Sequence, residues 1–413
     1  MGVLEFISLL ALFLEIAVLA FFEYKMWHTM YTPLNVLMLP YAIVLLLTIA
    51  VSGNWGIAEF YYPSILVWMI GLLIFAIPSY FFAFFLKEKM DQWGTCTIED
   101  NINMKFLNIL TTILLLLFAY RFVAVFSMGR FMIGSEDFGE LFCGKGVWGH
   151  LHRLLHVLLM LYIFKYDKKH RYYLFFIFGM LFVTFMYGVK SWILIPLMGG
   201  LLMRLYTGKM KLKLSLVLKV TILGFLVFFV SYFLSLFIAK DGAANIDAVI
   251  QLIVNIFVHY FVSGVLGWSQ DLQAGILEVP NFDVLIINVL NIVSLFTGDE
   301  FINAINPVFI HNGIKGSNVR TFFGTIYINS NILQFVLMTL VFSSISYLAK
   351  LWALKTRSIY FNTTYFFFMG MLFMGWFEIY YYHLQFIEVP MWIFILWLLM
   401  PKKKAYIDEI ATK

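Results

Sequence analysis

The sequence predicts an all-α polytopic integral membrane protein with about 11 transmembrane helices, within a range of roughly 10 to 12. Of its 413 residues, 62% are hydrophobic and only 12% are charged. A soluble domain carries about 25% charged residues, so the composition excludes a soluble nucleic-acid-binding module, a disulfide-rich secreted scaffold and a disordered chain. The first apolar segment has neither a basic start nor a small-residue cleavage site, so we expect a retained span rather than a signal peptide.

Apolar segments recur along the whole chain. They lie at residues 3–22, 34–51, 63–86, 106–126, 148–164, 172–187, 191–206, 214–239, 326–348, 361–380 and 386–400. Basic residues cluster in alternate gaps: Lys87, Lys89 and Lys105; Lys165, Lys168, Lys169 and Arg171; Lys209, Lys211 and Lys213; Lys350, Lys355 and Arg357; and Lys402, Lys403 and Lys404. Because basic loops stay in the cytoplasm, we expect the amino terminus outside and the carboxyl terminus inside.

Two longer segments fall on the external side of this single membrane domain. One is residues 127–147 and the other is residues 240–325. Within the second, residues 246–268 and 282–296 are apolar enough for helices at the membrane interface. We expect these helices to be interrupted at Gly264, Gly267, Gly275, Pro280 and Gly298. Such a segment is typical of a lid or floor over a cavity, because irregular backbone at membrane depth needs protein or water around it.

Several cations lie near the external ends of the spans, where positive charge is disfavoured. Arg153 lies about one turn inside a span, Lys190 lies at the junction of two spans, and Arg320 precedes another. An ionisable residue inside a span costs roughly 2.5–3.5 kcal/mol and usually has a function. Arginine binds phosphate bidentately and lysine acts as a point charge, so we expect these three residues to clamp an anion. Arg121 and Arg130 lie on the same face and are expected to assist.

Other polar residues near these spans have no assigned role. His150, His152 and His156 have metal-ligand spacing, but no paired carboxylate or HExxH pattern accompanies them. We therefore predict no metal site and no cofactor. Glu378 lies in an apolar segment, where it could pair with a cation, line a cavity or relay a proton. The two cysteines fall on opposite sides of the predicted topology, so no disulfide is expected.

Three segments, in this order, are similar to motifs of one enzyme family. YGVKSWILIPLMGGLLMRLY (187–206) is similar to a Gly-x-Arg-Ser turn before an apolar span and a basic loop. HYFVSGVLGWSQDL (259–272) is similar to a Tyr-Phe-x-x-Gly helix in a large external loop. SNVRTFFGTIYINSN (317–331) is similar to an Asn-Val-x-Thr segment with a Tyr-x-Asp-Phe-Gly entry into the next span. Together they resemble the Wzy-type oligosaccharide repeat unit polymerases of O-antigen (lipopolysaccharide) and capsule synthesis, over about half of the chain.

The sequence departs from these motifs at two places. Lys190 replaces the usual arginine, which keeps the charge but loses the bidentate geometry. Asn329, Ser330 and Asn331 replace Asp-Phe-Gly, so no acidic role can be transferred to that position.

The resemblance implies an inverting glycosyltransferase of the bacterial inner (cytoplasmic) membrane, with its active site facing the periplasm. It would join oligosaccharide repeat units carried on undecaprenyl pyrophosphate, with donor and acceptor both entering from membrane lipid and without a metal ion. A chain-length regulator and a flippase are the protein partners that the resemblance implies, and no nucleic-acid partner is expected. Arg153, Lys190 and Arg320 would bind the departing pyrophosphate, and Tyr260 and Asn318 match motif positions that would orient the substrates.

The general base that takes the proton of the attacking hydroxyl stays open at this point. The candidates on the expected side are His259, His311, Asp271 and Glu140. His259 is favoured because it is adjacent to Tyr260, and Asp271 is also expected to contact the substrate. A base of this kind should titrate near neutral pH.

Two other functions share part of this pattern. An O-antigen ligase would use the same donor and the same basic face, but it would transfer the finished glycan to a different acceptor. A flippase or transporter of lipid-linked oligosaccharide would place its charges along a route near the membrane midplane, between pseudo-symmetric halves. The crowding of the charges at one face and the size of the external segment favour the polymerase.

Overall fold

Helices make up nearly all of the chain that the structure describes. This computed structural model describes residues 2–54, 56–93, 98–99, 102–129, 135–213, 246–275, 281–302, 308–311 and 316–400, with single positions between 215 and 229. In lipid no water is available to bind backbone groups, so a helix, which satisfies them internally, is the structure that apolar segments of this kind adopt. The expected all-α polytopic membrane fold is confirmed.

The described helices have the following bounds. They are α1 (Val3–Trp27), α2 (Pro33–Val51), α3 (Ser64–Phe85), α4 (Lys87–Trp93), α5 (Met104–Phe126), α6 (Glu136–Gly139), α7 (Gly146–Lys165), α8 (Tyr173–Met186), α9 (Ser191–Tyr206), α10 (Ile246–Ala274), α11 (Ile287–Thr297), α12 (Phe322–Ile328), α13 (Ile332–Thr356), α14 (Ile359–Phe373) and α15 (Gln385–Leu399). A π-helical turn follows α6 at Glu140–Gly144, and 3-10 turns lie at Phe282–Ile286 and Met374–Trp376. Strands β1 (Ile310–His311) and β2 (Gly316–Ser317) pair antiparallel.

Seven of the described helices are long and apolar enough to cross a membrane. They are α1, α2, α3, α5, α7, the part of α10 from Ile250 to Ala274, and α13. Most predicted apolar segments coincide with helices. Residues 326–348 are divided between α12 and α13, and most of residues 214–239 lie outside the described residues. Two further differences from the prediction concern the site.

The first difference is that α10, which the prediction places in an external segment at the membrane interface, is one continuous helix of 29 residues and is long and apolar enough to cross a membrane from Ile250 to Ala274. The expected interruptions at Gly264 and Gly267 are wrong, since both glycines lie inside it. A Cβ on Gly264 would lie 2.5 Å from the carbonyl oxygen of Phe377. The glycine therefore allows a close approach between two backbones and does not end the helix.

The second difference is that the predicted span 361–380 stops early, because α14 ends at Phe373. Residues 374–384, called here the central connection, join α14 to α15 without a regular helix. Most of their side chains are buried by protein. This cover is what irregular backbone needs where no water is available.

Four helices around the central connection are too short to cross a membrane. α8, α9, α14 and α15 have 14, 16, 15 and 15 residues, which is about 21–24 Å at 1.5 Å per residue against a hydrocarbon core of roughly 30 Å. Basic residues precede α8 and α14 and follow α9 and α15 in the sequence, so we expect one end of each helix at the basic surface of the membrane. From the lengths of these helices we then expect the opposite ends and the central connection to lie below the other surface.

Small residues allow α9 and α14 to pack closely. A Cβ on Gly370 of α14 would overlap the carbonyl oxygen of Ile195, and a Cβ on Gly199 of α9 would lie 2.9 Å from the carbonyl oxygen of Phe366. Close backbone approach at small residues is a usual source of helix association in lipid, where burial of apolar surface gives no advantage. These contacts hold the two short helices in register beneath the central connection.

A buried polar cluster joins α1, α3 and α13 at the basic end. Glu23 accepts hydrogen bonds from the hydroxyls of Ser79 and Tyr347, the second at 3.0 Å. Lys350 lies 4.1 Å from the ring centroid of Trp27 and is only 1% exposed. The expectation that Lys350 lies in a loop with Lys355 and Arg357 is wrong, because α13 extends past it and Glu23 and Trp27 supply partners for the cation.

We predict that Gly370→Ala lowers the free energy of unfolding by about 1–3 kcal/mol, because the added methyl group forces α14 away from α9. Gly179→Ala is the matched control, since its Cβ would meet only the end of the flexible Leu115 side chain and no backbone atom. Thermal unfolding of the detergent-solubilised proteins measures both changes. Equal midpoints for the two variants would contradict the packing described here.

Candidate functional site

The central connection is fixed by hydrogen bonds from the surrounding helices. Asn288 of α11 donates its side-chain amide to the carbonyl oxygen of Tyr381 at 2.8 Å. The hydroxyl groups of Ser346 and Tyr381 also lie 2.8 Å apart. Within the connection, the backbone N–H of His383 donates to the carbonyl oxygen of Tyr380 at 3.2 Å. Buried polar groups held in this way keep one conformation, so the connection is a rigid platform.

α10 covers one side of the central connection through the segment Tyr260–Gly264. The ring of Phe261 stacks on Trp376 at 5.4 Å between centroids, and the ring of Tyr260 lies 4.7 Å from that of Phe377. Gly264 brings the α10 backbone against the carbonyl groups of Trp376 and Phe377. The Tyr-Phe-x-x-Gly segment noted in the sequence therefore lies directly on the connection.

Arg153 reaches the connection from α7. Its Nε lies 2.8 Å from Oε2 of Glu388 in the first turn of α15. The other carboxylate oxygen of Glu388 lies 2.6 Å from Nδ1 of His150. Arg153 also interacts electrostatically with His383 of the connection. His150 therefore pairs with Glu388, whereas His152 and His156, which are close to it in the sequence, form a separate buried pair.

Lys190 lies at the junction between α8 and α9, on a second side of the connection. Its Nζ is 5.6 Å from the ring centroid of Tyr260, a distance at which the ring face attracts a cation. Two residues further on, Trp192 contacts the rings of Tyr380 and His383 at 5.6 Å and 5.4 Å. The junction and the central connection thus form one continuous surface.

Arg320 lies just before α12 and is only 2% exposed. Its guanidinium makes a bidentate ion pair with Asp271 of α10, and Nη1 donates to the carbonyl oxygens of Ser317 and Val319 at 3.1 Å and 3.0 Å. Burial lowers the pKa of Arg320 to about 10, and the nearby Glu378 carboxylate opposes this change. Arg320 stays charged at neutral pH and lies beside the connection.

The three cations singled out in the sequence therefore surround one buried connection. Each lies near an acid or an aromatic ring: Arg153 by Glu388, Arg320 by Asp271 and Glu378, and Lys190 by Tyr260. Glu378 itself is half-buried and accepts a hydrogen bond from the hydroxyl of Tyr382. The site is nearly charge-balanced, which differs from the strongly cationic surface that the sequence indicated.

The remaining predicted site residues lie around this centre or apart from it. Arg121 donates from Nη2 to the carbonyl oxygen of Leu141 at 2.7 Å and lies over the ring of Trp148, so it braces the turn before α7. Asn318 is half-buried beside Arg320, between β2 and α12. Arg130 lies outside the described residues.

The four candidate bases have different surroundings. His259 is buried on α10 next to Tyr260. Asp271 is committed to Arg320. Glu140 forms an exposed ion pair with Lys145, and His311 lies exposed on β1.

Glu388 is the site residue that the sequence analysis missed. It lies in QFIEVPMWIF (385–394), where a single carboxylate interrupts an apolar run. An ionisable residue inside a predicted span is a signal of function or pairing, and that rule could have marked it. Its partner on α7 is more than 200 residues away in the chain, so the pair itself could not be predicted.

Neither the curated proteins nor the solved structures contain a match to this chain. The family of unknown function DUF6337 matches residues 56–406. The matched region includes α3 to α15, and therefore every residue of the site described above. The chain belongs to the DUF6337 family.

Proposed function

We propose that this protein is a polysaccharide polymerase, an inverting glycosyltransferase that joins oligosaccharide repeat units carried on undecaprenyl pyrophosphate for O-antigen or capsule. The observation that carries the proposal is the meeting of Arg153, Lys190 and Arg320 around one buried, rigid connection. The resemblance of residues 187–206, 259–272 and 317–331 to Wzy-type polymerases supports it. By the positive-inside rule, this end of the bundle faces the periplasm of the bacterial inner membrane.

The proposed reaction breaks one bond and forms one. A hydroxyl group of the acceptor repeat unit attacks the anomeric carbon of the donor glycan, and the bond from that carbon to the pyrophosphate oxygen breaks. Undecaprenyl pyrophosphate leaves with the bonding electron pair, and the hydroxyl proton passes to a base. Cations that bind the growing pyrophosphate charge more strongly than the ground state lower the barrier.

The paired state of the arginines is compatible with this role. Glu388 and Asp271 hold Arg153 and Arg320 in place before substrate arrives, so that little reorganisation is needed when charge develops. A guanidinium group has five N–H donors, and in Arg320 four hydrogen bonds to Asp271 and to two backbone carbonyl oxygens use most of them, so this residue acts on the pyrophosphate through its charge. The ring face of Tyr260 attracts the ammonium group of Lys190 and positions it beside the connection.

We assign the base to Glu378 in this proposal. Among the carboxylates and histidines considered, it combines a place on the central connection, partial exposure and proximity to Arg320. Asp271 is occupied by Arg320, and the Glu140 pair is exposed and remote from the connection. His259 is the second candidate because it is adjacent to Tyr260.

An O-antigen ligase is the nearest alternative, since it would share the donor and the leaving group. The two differ in product, because a polymerase lengthens the lipid-linked glycan and a ligase moves it to another acceptor. A flippase or transporter fits less well, since Arg153, Lys190 and Arg320 gather around one recessed connection rather than along a route through the bundle. Transport would also leave the length of the glycan unchanged.

We expect the purified protein, reconstituted with a defined lipid-linked repeat unit, to produce a ladder of longer lipid-linked glycans. Lys190→Ala should abolish the ladder and Lys190→Arg should retain part of it, because the charge is the requirement. Gel separation of the labelled glycans measures the products. An unchanged repeat unit with the wild-type protein would contradict the proposed function, and a normal ladder from Lys190→Ala would remove Lys190 from the site.

Arg320 needs a paired experiment, because removing it leaves Asp271 buried and unpaired at a cost of roughly 3–5 kcal/mol. We predict that Arg320→Leu loses both stability and chain extension. The double variant Arg320→Leu with Asp271→Leu should regain thermal stability but not chain extension. If the double variant also regained chain extension, Arg320 would have only a structural role.

Glu378→Gln should reduce the rate of chain extension by roughly 100-fold or more, since a positioned base contributes about 10²–10⁴-fold. The amide keeps the size of the side chain and can still accept a hydrogen bond from Tyr382. Glu140→Gln, which alters only an exposed ion pair, is the control and should leave the rate unchanged. A normal rate in Glu378→Gln would transfer the role of base to His259.

A further inference from the structure

An apolar groove of about 460 Å³ opens on the outside of the bundle between α13, α14 and α15. Ile345 of α13 and Phe368 of α14 form its walls, and Phe386, Pro390, Met391 and Phe394 of α15 form its floor. Apolar side chains of this kind give a ligand a surface of defined shape and many dispersion contacts, but few polar contacts. The groove runs along α15 from its first turn, at Phe386, towards the middle of the helix.

The groove begins where the candidate site ends. Phe386 stacks on Tyr381 of the central connection at 4.5 Å, and on Phe368 at 4.8 Å. Glu388 lies on a different face of the same helix and holds Arg153 at 2.8 Å. The first turn of α15 therefore carries the charged site on one face and the start of the groove on another.

We infer that the groove holds the first isoprene units of the polyprenyl chain of the lipid-linked substrate, while the diphosphate lies at the central connection. This inference rests on the proposed function for the identity of the head group. The apolar lining of the groove suits a hydrocarbon chain. The four short helices leave the connection below the membrane surface, so a chain leaving it passes directly along α15 into the hydrocarbon.

The groove selects by shape rather than by hydrophobicity, because lipid tails are as apolar as its walls. Its contribution is therefore to orient the substrate, which enters from the bilayer with the diphosphate already near the cations. A diacyl lipid has two chains and no diphosphate, so it fits neither the groove nor the cations at the central connection.

The test measures binding of two diphosphates to the full chain in phosphatidylglycerol nanodiscs: undecaprenyl pyrophosphate, and inorganic pyrophosphate, which has no isoprene unit. Met391→Trp fills the groove from α15, and Ile345→Trp fills it from α13. Each should weaken binding of undecaprenyl pyrophosphate about fivefold and leave that of inorganic pyrophosphate unchanged. Leu116→Trp, at a residue of α5 that is 65% exposed, is the matched control and should change neither.

Photo-crosslinking with a diazirine placed on the first isoprene units of undecaprenyl pyrophosphate gives a second readout on the unaltered protein. We expect the label on the α15 peptide that contains Met391. Equal affinity of the wild-type and both groove variants for the long chain, or a label elsewhere, would overturn the inference. If Met391→Trp still produced a normal glycan ladder, the role of the groove would be wrong and the proposed function would stand. If the protein bound the polyprenyl chain tightly but produced no ladder, the proposed function would be wrong and the groove would keep its role.

Discussion

The structure depends on one constraint: backbone that leaves the helical form inside a membrane must be covered by protein. The central connection, residues 374–384, meets this requirement with contacts from helices distant in sequence. Asn288 binds its carbonyl group, Ser346 binds a tyrosine hydroxyl, and Gly264 lets α10 lie on its backbone. The cover is costly to build, and it also produces a polar, rigid surface where an unbroken helix would present only side chains.

Charge pairing follows from the same setting. An isolated cation is expensive in a medium of low dielectric constant, so Arg153 and Arg320 are placed with Glu388 and Asp271. The pairs join α7 to α15, and α10 to the segment before α12, across the connection. They fix the direction of each guanidinium group while keeping its charge, which is what preorganised electrostatic stabilisation requires.

The fold was largely predictable because hydrophobic length and basic loops follow directly from composition. The early end of α14 was not predictable, because residues 374–384 are themselves mostly apolar and aromatic. Only their contacts in the folded protein show that the helix stops. Gly264 gave a signal that was misinterpreted: it marks a close contact rather than a break. The cations were found because charge in a span is conspicuous, and Glu388 could have been found by the same rule. Their pairing depends on long-range packing that the sequence does not display.

The short helices α8, α9, α14 and α15 also act on the bilayer. A protein whose apolar length falls short of the hydrocarbon thickness draws the nearby lipid inward, at a modest cost per ångström of mismatch. Since α8, α9, α14 and α15 are all short, we expect the leaflet beside them to be thinned locally. The membrane surface would then dip towards residues 374–384, and bilayer thickness would control how far a lipid head group must descend to reach them.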